Sequence, residues 1–197
     1  KHWVQLSWFL MMKKSICIIP ARGGSKRFPK KNLAVIGGKT LVRRSIDLAL
    51  ATNIFDKILL TSDDDEILNE ANEIPKKVEK HKRGERLSND TATIKELTIS
   101  LCETFNSSYK NVCIILPTAP FTLPKHILDA QIEFNSDKNL DGIVSLTSYE
   151  FPPQFSVALN NNLIQPAFPN SPLISGNTRS QNQEKLFRPN GAFYIYK

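Results

Sequence analysis

A chain of 197 residues is long enough for one domain that buries most of its apolar surface without disulfides. With 41% hydrophobic and 23% charged residues it has the composition of an ordinary globular protein. Its net charge of +7 favours an anionic partner; a nucleic-acid binder shows repeated basic stripes with interleaved aromatics, whereas here the sharpest basic cluster occupies a single loop, so nucleic acid is set aside.

The chain opens with an apolar run over 3–12 that lacks a small-residue cleavage site and is too short to cross a bilayer. We read 1–11 as an extension outside the fold and 12–197 as the domain. Residues 16–20 form the first of five strand-length apolar runs, followed by 57–61, 112–116, 142–146 and 193–196. All are continuous rather than alternating, as expected of strands covered on both faces. Gly37-Gly38-Lys39-Thr40 ends like a Walker A loop, but that motif needs a glycine where Leu33 stands, so the segment is read as a turn into a helix at Leu41.

Val42, Ile46 and Ala49 fall on one helical face. Ser62 or Asp63 is expected to cap a helix carrying Ile67, Leu68 and Ala71. Asp63, Asp64 and Asp65 point in different directions at a helix start, so capping and the helix dipole account for them better than a shared metal ion. Residues 76–86 are basic but also hold Glu79 and Glu85, the pattern of a solvated edge. Ile94, Leu97, Leu101 and Phe105 form a second helical face, with Asn89 or Asp90 as its cap. Pro124 suits the first turn of a third helix, with Leu128 and Ile132 behind it. The alternation of strands and helices predicts an α/β fold with a doubly wound, mainly parallel sheet. The stretch 151–186, with five prolines and runs of Asn and Ser, breaks the rhythm and is either a linker or an excursion onto a second subunit. Cys17, Cys102 and Cys113 are odd in number without a CxxC, so free thiols in a reducing, cytoplasmic setting are expected. His2, His81 and His126 show no metal-ligand spacing.

The loop after the first run reads Ala21-Arg22-Gly23-Gly24-Ser25-Lys26-Arg27-Phe28-Pro29-Lys30-Lys31-Asn32. Small residues at Gly23, Gly24 and Ser25 can bring backbone N–H groups onto an anion. Arg22, Lys26, Arg27, Lys30 and Lys31 supply charge for several phosphates at once. A polyphosphate is the natural guest. A solvated basic turn is the plainer alternative, but a loop after a buried strand is where α/β sheets place ligand-binding turns.

These residues also carry a resemblance. Ala21-Arg22-Gly23-Gly24-Ser25-Lys26 with Lys31-Asn32 resembles the signature of the acylneuraminate cytidylyltransferase family. Thr61-Ser62-Asp63 resembles its strand-end motif. Arg83 through Leu87-Ser88-Asn89-Asp90-Thr91-Ala92 is similar to its Arg-Pro-x-x-Leu-Ala/Ser-x-Asp-Thr-Ala segment, with Gly84 where Pro is usual. Arg188-Pro189-Asn190-Gly191-Ala192-Phe193-Tyr194 resembles its Arg-x-Asn-Gly-Ala-x-Tyr block. The resemblance implies a Rossmann-like nucleotidyltransferase that joins CTP to an acidic nonulosonic, sialic-acid-like sugar with Mg²⁺, as a homodimer built on 151–186. It implies that Arg22 and Lys26 act on the triphosphate. Gly23, Gly24, Ser25, Lys31, Asn32 and Arg83 would bind nucleotide, Arg188 the sugar carboxylate, and Asn190 sugar or nucleotide; Tyr194 is read as core. The family's Asp-x-Asp metal carboxylates are expected beyond Lys197. Leu116 stands where Gln is usual, which leaves the sugar open. A 3-deoxy-manno-octulosonate cytidylyltransferase has a similar loop but lacks the Lys31-Asn32 pair and the late block. A non-catalytic nucleotide-binding module is the other alternative.

Overall fold

The computed structural model describes residues 14–72, 74, 77–89, 91–104 and 109–197. In chain order the elements are β1 (Ser15–Pro20), β2 (Val35–Ile36), β3 (Lys39–Thr40), α1 (Leu41–Thr52), β4 (Lys57–Ser62), α2 (Asp65–Asn69), β5 (Val78–Lys82), α3 (Ile94–Thr104) and β6 (Asn111–Ile115). They continue with α4 (Pro124–Ser136), β7 (Gly142–Ser148), β8 (Val157–Asn160), β9 (Leu163–Pro166), α5 (Pro172–Ser175) and β10 (Phe187–Tyr196). The main sheet runs β5-β4-β1-β6-β10-β7. Its first four strands are mutually parallel, and β10 runs antiparallel to β6. Two units separate, Lys1–Val144 with Gly191–Lys197, and Ser145–Asn190.

In the first unit β1 is apolar throughout because both its faces are covered. Ile16 and Ile18 pack with Leu59, Val112 and Ile114 against Leu97 and Leu101 of α3. Cys17 and Ile19 face the other way, toward Val42 and Ile46 of α1, Ile67 of α2, and Ile127 and Phe134 of α4. Each such isoleucine contributes about 1.5–3 kcal/mol by burial. The sheet is therefore doubly wound: among the described residues, α3 covers one face and α1, α2 and α4 the other. β2 and β3 form a tight hairpin whose turn residues, Gly37 and Gly38, have φ of 56° and 78°, as a two-residue primed turn requires. It delivers the chain to α1, where Thr40 Oγ1 accepts from Arg43 N at 3.1 Å. Among the described residues no helix is long and apolar enough to cross a membrane.

Several expectations are corrected. β5 has no apolar run, yet it pairs with β4 from Ile58↔Val78 to Ser62↔Lys82, because an edge strand needs backbone partners more than buried side chains. β7 is not uniformly apolar-facing: Val144, Leu146 and Ser148 are exposed and alternate with partly buried residues. The cap of α2 is Asp64, whose carboxylate accepts from Glu66 N at 2.8 Å, rather than Ser62 or Asp63. The cap of α3 is Thr93, in reciprocal hydrogen bonds with Glu96, rather than Asn89; Asp90 and Phe105 lie outside the described residues. The buried face of α4 is Ile127, Gln131 and Phe134; Leu128 only flanks it and Ile132 is exposed. The extension 1–11 also lies outside the described residues.

The second unit contains the whole of 151–186. β8 and β9 form an antiparallel hairpin through Asn161 and Asn162, whose φ values of 47° and 63° supply the turn. Ser171 caps α5, and Gln154 Nε2 donates to the Glu184 carbonyl at 2.9 Å. The stretch is folded rather than a bare linker. Leu159, Leu163 and Ile164 of the hairpin are 67–69% exposed.

Candidate active site

The C-terminal end of β4 organises the site. Thr61 is fully buried, and its carbonyl accepts from Ala21 N at 3.0 Å, which brings the basic loop off β1. The same carbonyl accepts from Arg83 Nη2 at 3.0 Å. Ser62 follows: its carbonyl takes Arg83 N at 2.7 Å and its hydroxyl takes Asp64 N at 3.0 Å. Asp63 Oδ1 then accepts from Gly23 N at 2.9 Å. A Cβ on Gly23 would lie 2.7 Å from Asp64 Oδ2 and 2.9 Å from Asp64 Cβ, so only glycine lets the loop close onto this turn. Asn32, buried beneath the loop, donates from Nδ2 to the Arg22 carbonyl at 2.8 Å. Lys30 pairs with Glu66 at 2.6 Å on the surface, an exposed contact that solvent screens.

The loop so held borders a cleft of about 740 Å³. Arg22, Lys26, Arg27, Lys31 and Arg83 line it, with no carboxylate among the described lining residues, while Leu87, Ile94, Leu97 and Leu116 give it an apolar side. Such a wall suits a polyanion carrying a flat, weakly polar body. Arg83 is buried at the base, and its Nη1 reaches the Leu87 carbonyl at 3.4 Å. Burial lowers its pKa; nearby Asp63 opposes that shift and the Arg22 charge adds to it. A guanidinium stays protonated regardless, so the cleft holds two mutually repelling cations that an incoming anion relieves. Arg22 Nη1 donates to the Asn89 carbonyl at 3.2 Å. Asn89 is itself fixed, its Oδ1 accepting from Thr91 N, Thr91 Oγ1 and Ala92 N at 2.8–3.0 Å.

Of the residues singled out in the sequence, Arg22, Ser25, Lys26, Lys31, Asn32 and Arg83 all border this cleft. The expected anion-cradling N–H groups are partly spent within the protein: Gly23 N donates to Asp63 on the β4–α2 turn, and Ser25 N donates to the Gly23 carbonyl at 2.9 Å. Gly24 has nothing within 4 Å of where a Cβ would stand. Lys30 is drawn off to Glu66, whereas Arg27 joins the wall. Arg188 and Asn190 belong to the second unit. There Arg188 lies over the Tyr149 ring at 6.0 Å, and Asn190 Oδ1 accepts from Ser145 Oγ at 2.6 Å. Tyr194 is half-buried against the core around Ile114 and stacks on Tyr196 at 6.2 Å. Sequence reasoning missed the holding roles of Thr61, Asp63 and Asn89; Asp63 read as a cap because a carboxylate before a helix usually is one. Among the described residues no group of three His, Cys, Asp or Glu side chains comes together that could hold a metal ion.

The sequence profile of a family described as cytidylyltransferase matches residues 16–197. The chain is 37% identical to the pseudaminic acid cytidylyltransferase of Campylobacter jejuni over 185 residues, covering 92% of this chain and 78% of the relative. It is 30% identical to the N-acylneuraminate cytidylyltransferase of Streptococcus agalactiae, covering 92% of this chain and 43% of that longer protein. A solved CMP:2-keto-3-deoxy-manno-octonic acid synthetase in complex with CTP has the same fold, with a TM-score of 0.67 at 16% identity over 93% of this chain and 74% of its own.

Proposed function

The chain belongs to the cytidylyltransferase family and is a nucleotidyltransferase, and from that premise we propose that it joins CTP to a nonulosonic acid to give the CMP-sugar and pyrophosphate. The observation that carries this reading is the cleft wall of five cations, four from the loop after β1 and Arg83 after β5, with no carboxylate among the described residues that line it. The sugar's anomeric 2-hydroxyl attacks the α-phosphorus in line. A new P–O bond forms, the bond to the β-phosphate breaks, the hydroxyl loses its proton and pyrophosphate departs. Arg22 and Lys26 stabilise charge gathering on the triphosphate, Arg83 holds it from below, and Lys31 and Ser25 add contacts. Asn32 acts on the loop rather than on the ligand. The apolar side formed by Leu87, Ile94 and Leu97 takes the base and ribose.

Mg²⁺ enters with the phosphates of CTP. The described residues do not fit a protein-built site for it, since the cleft wall carries no carboxylate, and no step here runs through the ion. Arg188 and Asn190 serve the sugar. Leu116, apolar at the cleft edge, supports a nonulosonic acid with deoxy or differently substituted positions; the Campylobacter relative is named for pseudaminic acid. The exposed hairpin apolar residues support 151–186 as the contact of a homodimer, and the free cysteines Cys17, Cys102 and Cys113 support a reducing, cytoplasmic setting. Pyrophosphate release from CTP and Mg²⁺ in the presence of a nonulosonic acid tests the proposal; no release with any such sugar refutes it, and CTP binding without turnover returns the chain to a binding module.

A further inference from the structure

We infer that His81 is a positioning residue for Arg83, acting through the hydroxyl of Thr61. The inference rests on the reading of the cleft as a triphosphate site. Thr61 and His81 are register partners on β4 and β5. Thr61 Oγ1 lies 2.9 Å from His81 Nδ1, and Arg83 Nε donates to the same oxygen at 3.5 Å. A guanidinium can only donate, so Thr61 Oγ1 receives Nε–H. In the inferred relay the hydroxyl sends its own hydrogen to the imidazole, with Nδ1 the bare nitrogen of a neutral Nε2–H tautomer. Burial, and then the Arg83 charge, favour that neutral form.

Thr61 thus presents both oxygens to Arg83, the carbonyl to Nη2 at 3.0 Å and the hydroxyl to Nε. Without an acceptor at His81 the hydroxyl hydrogen has no reason to turn away from the guanidinium, and the Nε contact goes. Nη2 on the Thr61 carbonyl and Nη1 on the Leu87 carbonyl then hold the fork alone, with less to fix its plane where a planar donor matters most. His81 itself is not among the residues of the cleft wall, and its hydrogen-bonded link to the site is this relay.

The test compares His81→Phe, which keeps the ring and drops Nδ1, with His81→Asn, which restores an acceptor near the same place, and with Thr61→Val. CTP affinity is measured by calorimetry, and the Arg83 Nε–H resonance by NMR in the protein without nucleotide. We expect His81→Phe and Thr61→Val each to weaken CTP binding about tenfold, the double variant to be no worse than either, and His81→Asn to stay within about twofold. The Arg83 Nε–H should lose its protection from exchange in the Phe and Val variants and keep it in the Asn variant. Unchanged Nε–H protection in His81→Phe overturns the inference, as do independent, multiplying effects of the two single variants. A wild-type protein that binds no CTP overturns the reading of the cleft instead, while the Nε–H signal of the free protein still decides the role of His81.

Discussion

Replacing Gly23 with alanine adds one methyl group at the tightest point of the candidate site. The new Cβ would stand 2.7 Å from Asp64 Oδ2 and 2.9 Å from Asp64 Cβ. Asp64 cannot swing aside freely, because its other oxygen caps α2 at Glu66 N. The loop must lift instead, which stretches the Gly23 N–H contact to Asp63. Overpacking costs about 1–3 kcal/mol, and a weakened hydrogen bond to a carboxylate up to about 1.5–3 kcal/mol, so a loss of up to about 2.5–6 kcal/mol is expected, shared between stability and loop position. Gly24 is the internal control: it has open space around it and no left-handed backbone, so Gly24→Ala should be near neutral. Thermal unfolding and CTP titration of both variants check this. A Gly23→Ala protein that melts with the wild type and binds CTP within about twofold of it would refute the claim that the loop is docked on the β4–α2 turn.

Arg22→Ala removes a charge aimed at the triphosphate and should lower turnover by about two orders of magnitude with the melting temperature unchanged; unaltered steady-state kinetics would reduce Arg22 to a surface residue. Deleting 155–183 removes the hairpin with its exposed Leu159, Leu163 and Ile164 and should leave a monomer in sedimentation, against a dimer for the intact chain. His81 titrates below its ordinary value of 6.5 in the fold, so the unfolded chain binds the extra proton first. The stability tied to its neutral form should be complete above about pH 6.5 and fade as pH falls through the lower folded value. His81→Asn should flatten that part of the pH–stability curve; an identical slope in both proteins would speak against it.

The parallel sheet was legible because β1, β4 and β6 are buried on both faces and so read as unbroken apolar runs. β5 was not, since Val-Glu-Lys-His-Lys at a sheet edge is held by main-chain pairing that leaves no mark on hydropathy. The cleft's cations were visible as a cluster in one loop, joined by Arg83 from far along the chain. Their supports were harder to see. Thr61, Asp63 and Asn89 act through hydrogen bonds to residues 22–67 positions away, which no local spacing encodes. The same holds for the glycines: Gly23 and Gly24 look equivalent in sequence, and only the approach of Asp64 separates a required glycine from a tolerant one.

The central claim is that this cleft transfers CMP from CTP to a nonulosonic sugar, and mass spectrometry of the product tests it most directly. The protein is incubated with CTP, Mg²⁺ and an equal mixture of N-acetylneuraminate and a di-N-acetylated, 9-deoxy nonulosonate. The account predicts a CMP-linked sugar that Arg22→Ala fails to make, with the deoxy sugar used as well as or better than N-acetylneuraminate because Leu116 offers no amide to demand a hydroxyl. A preference for N-acetylneuraminate above about a hundredfold would contradict the role given to Leu116, and the absence of any CMP-sugar would contradict the account as a whole.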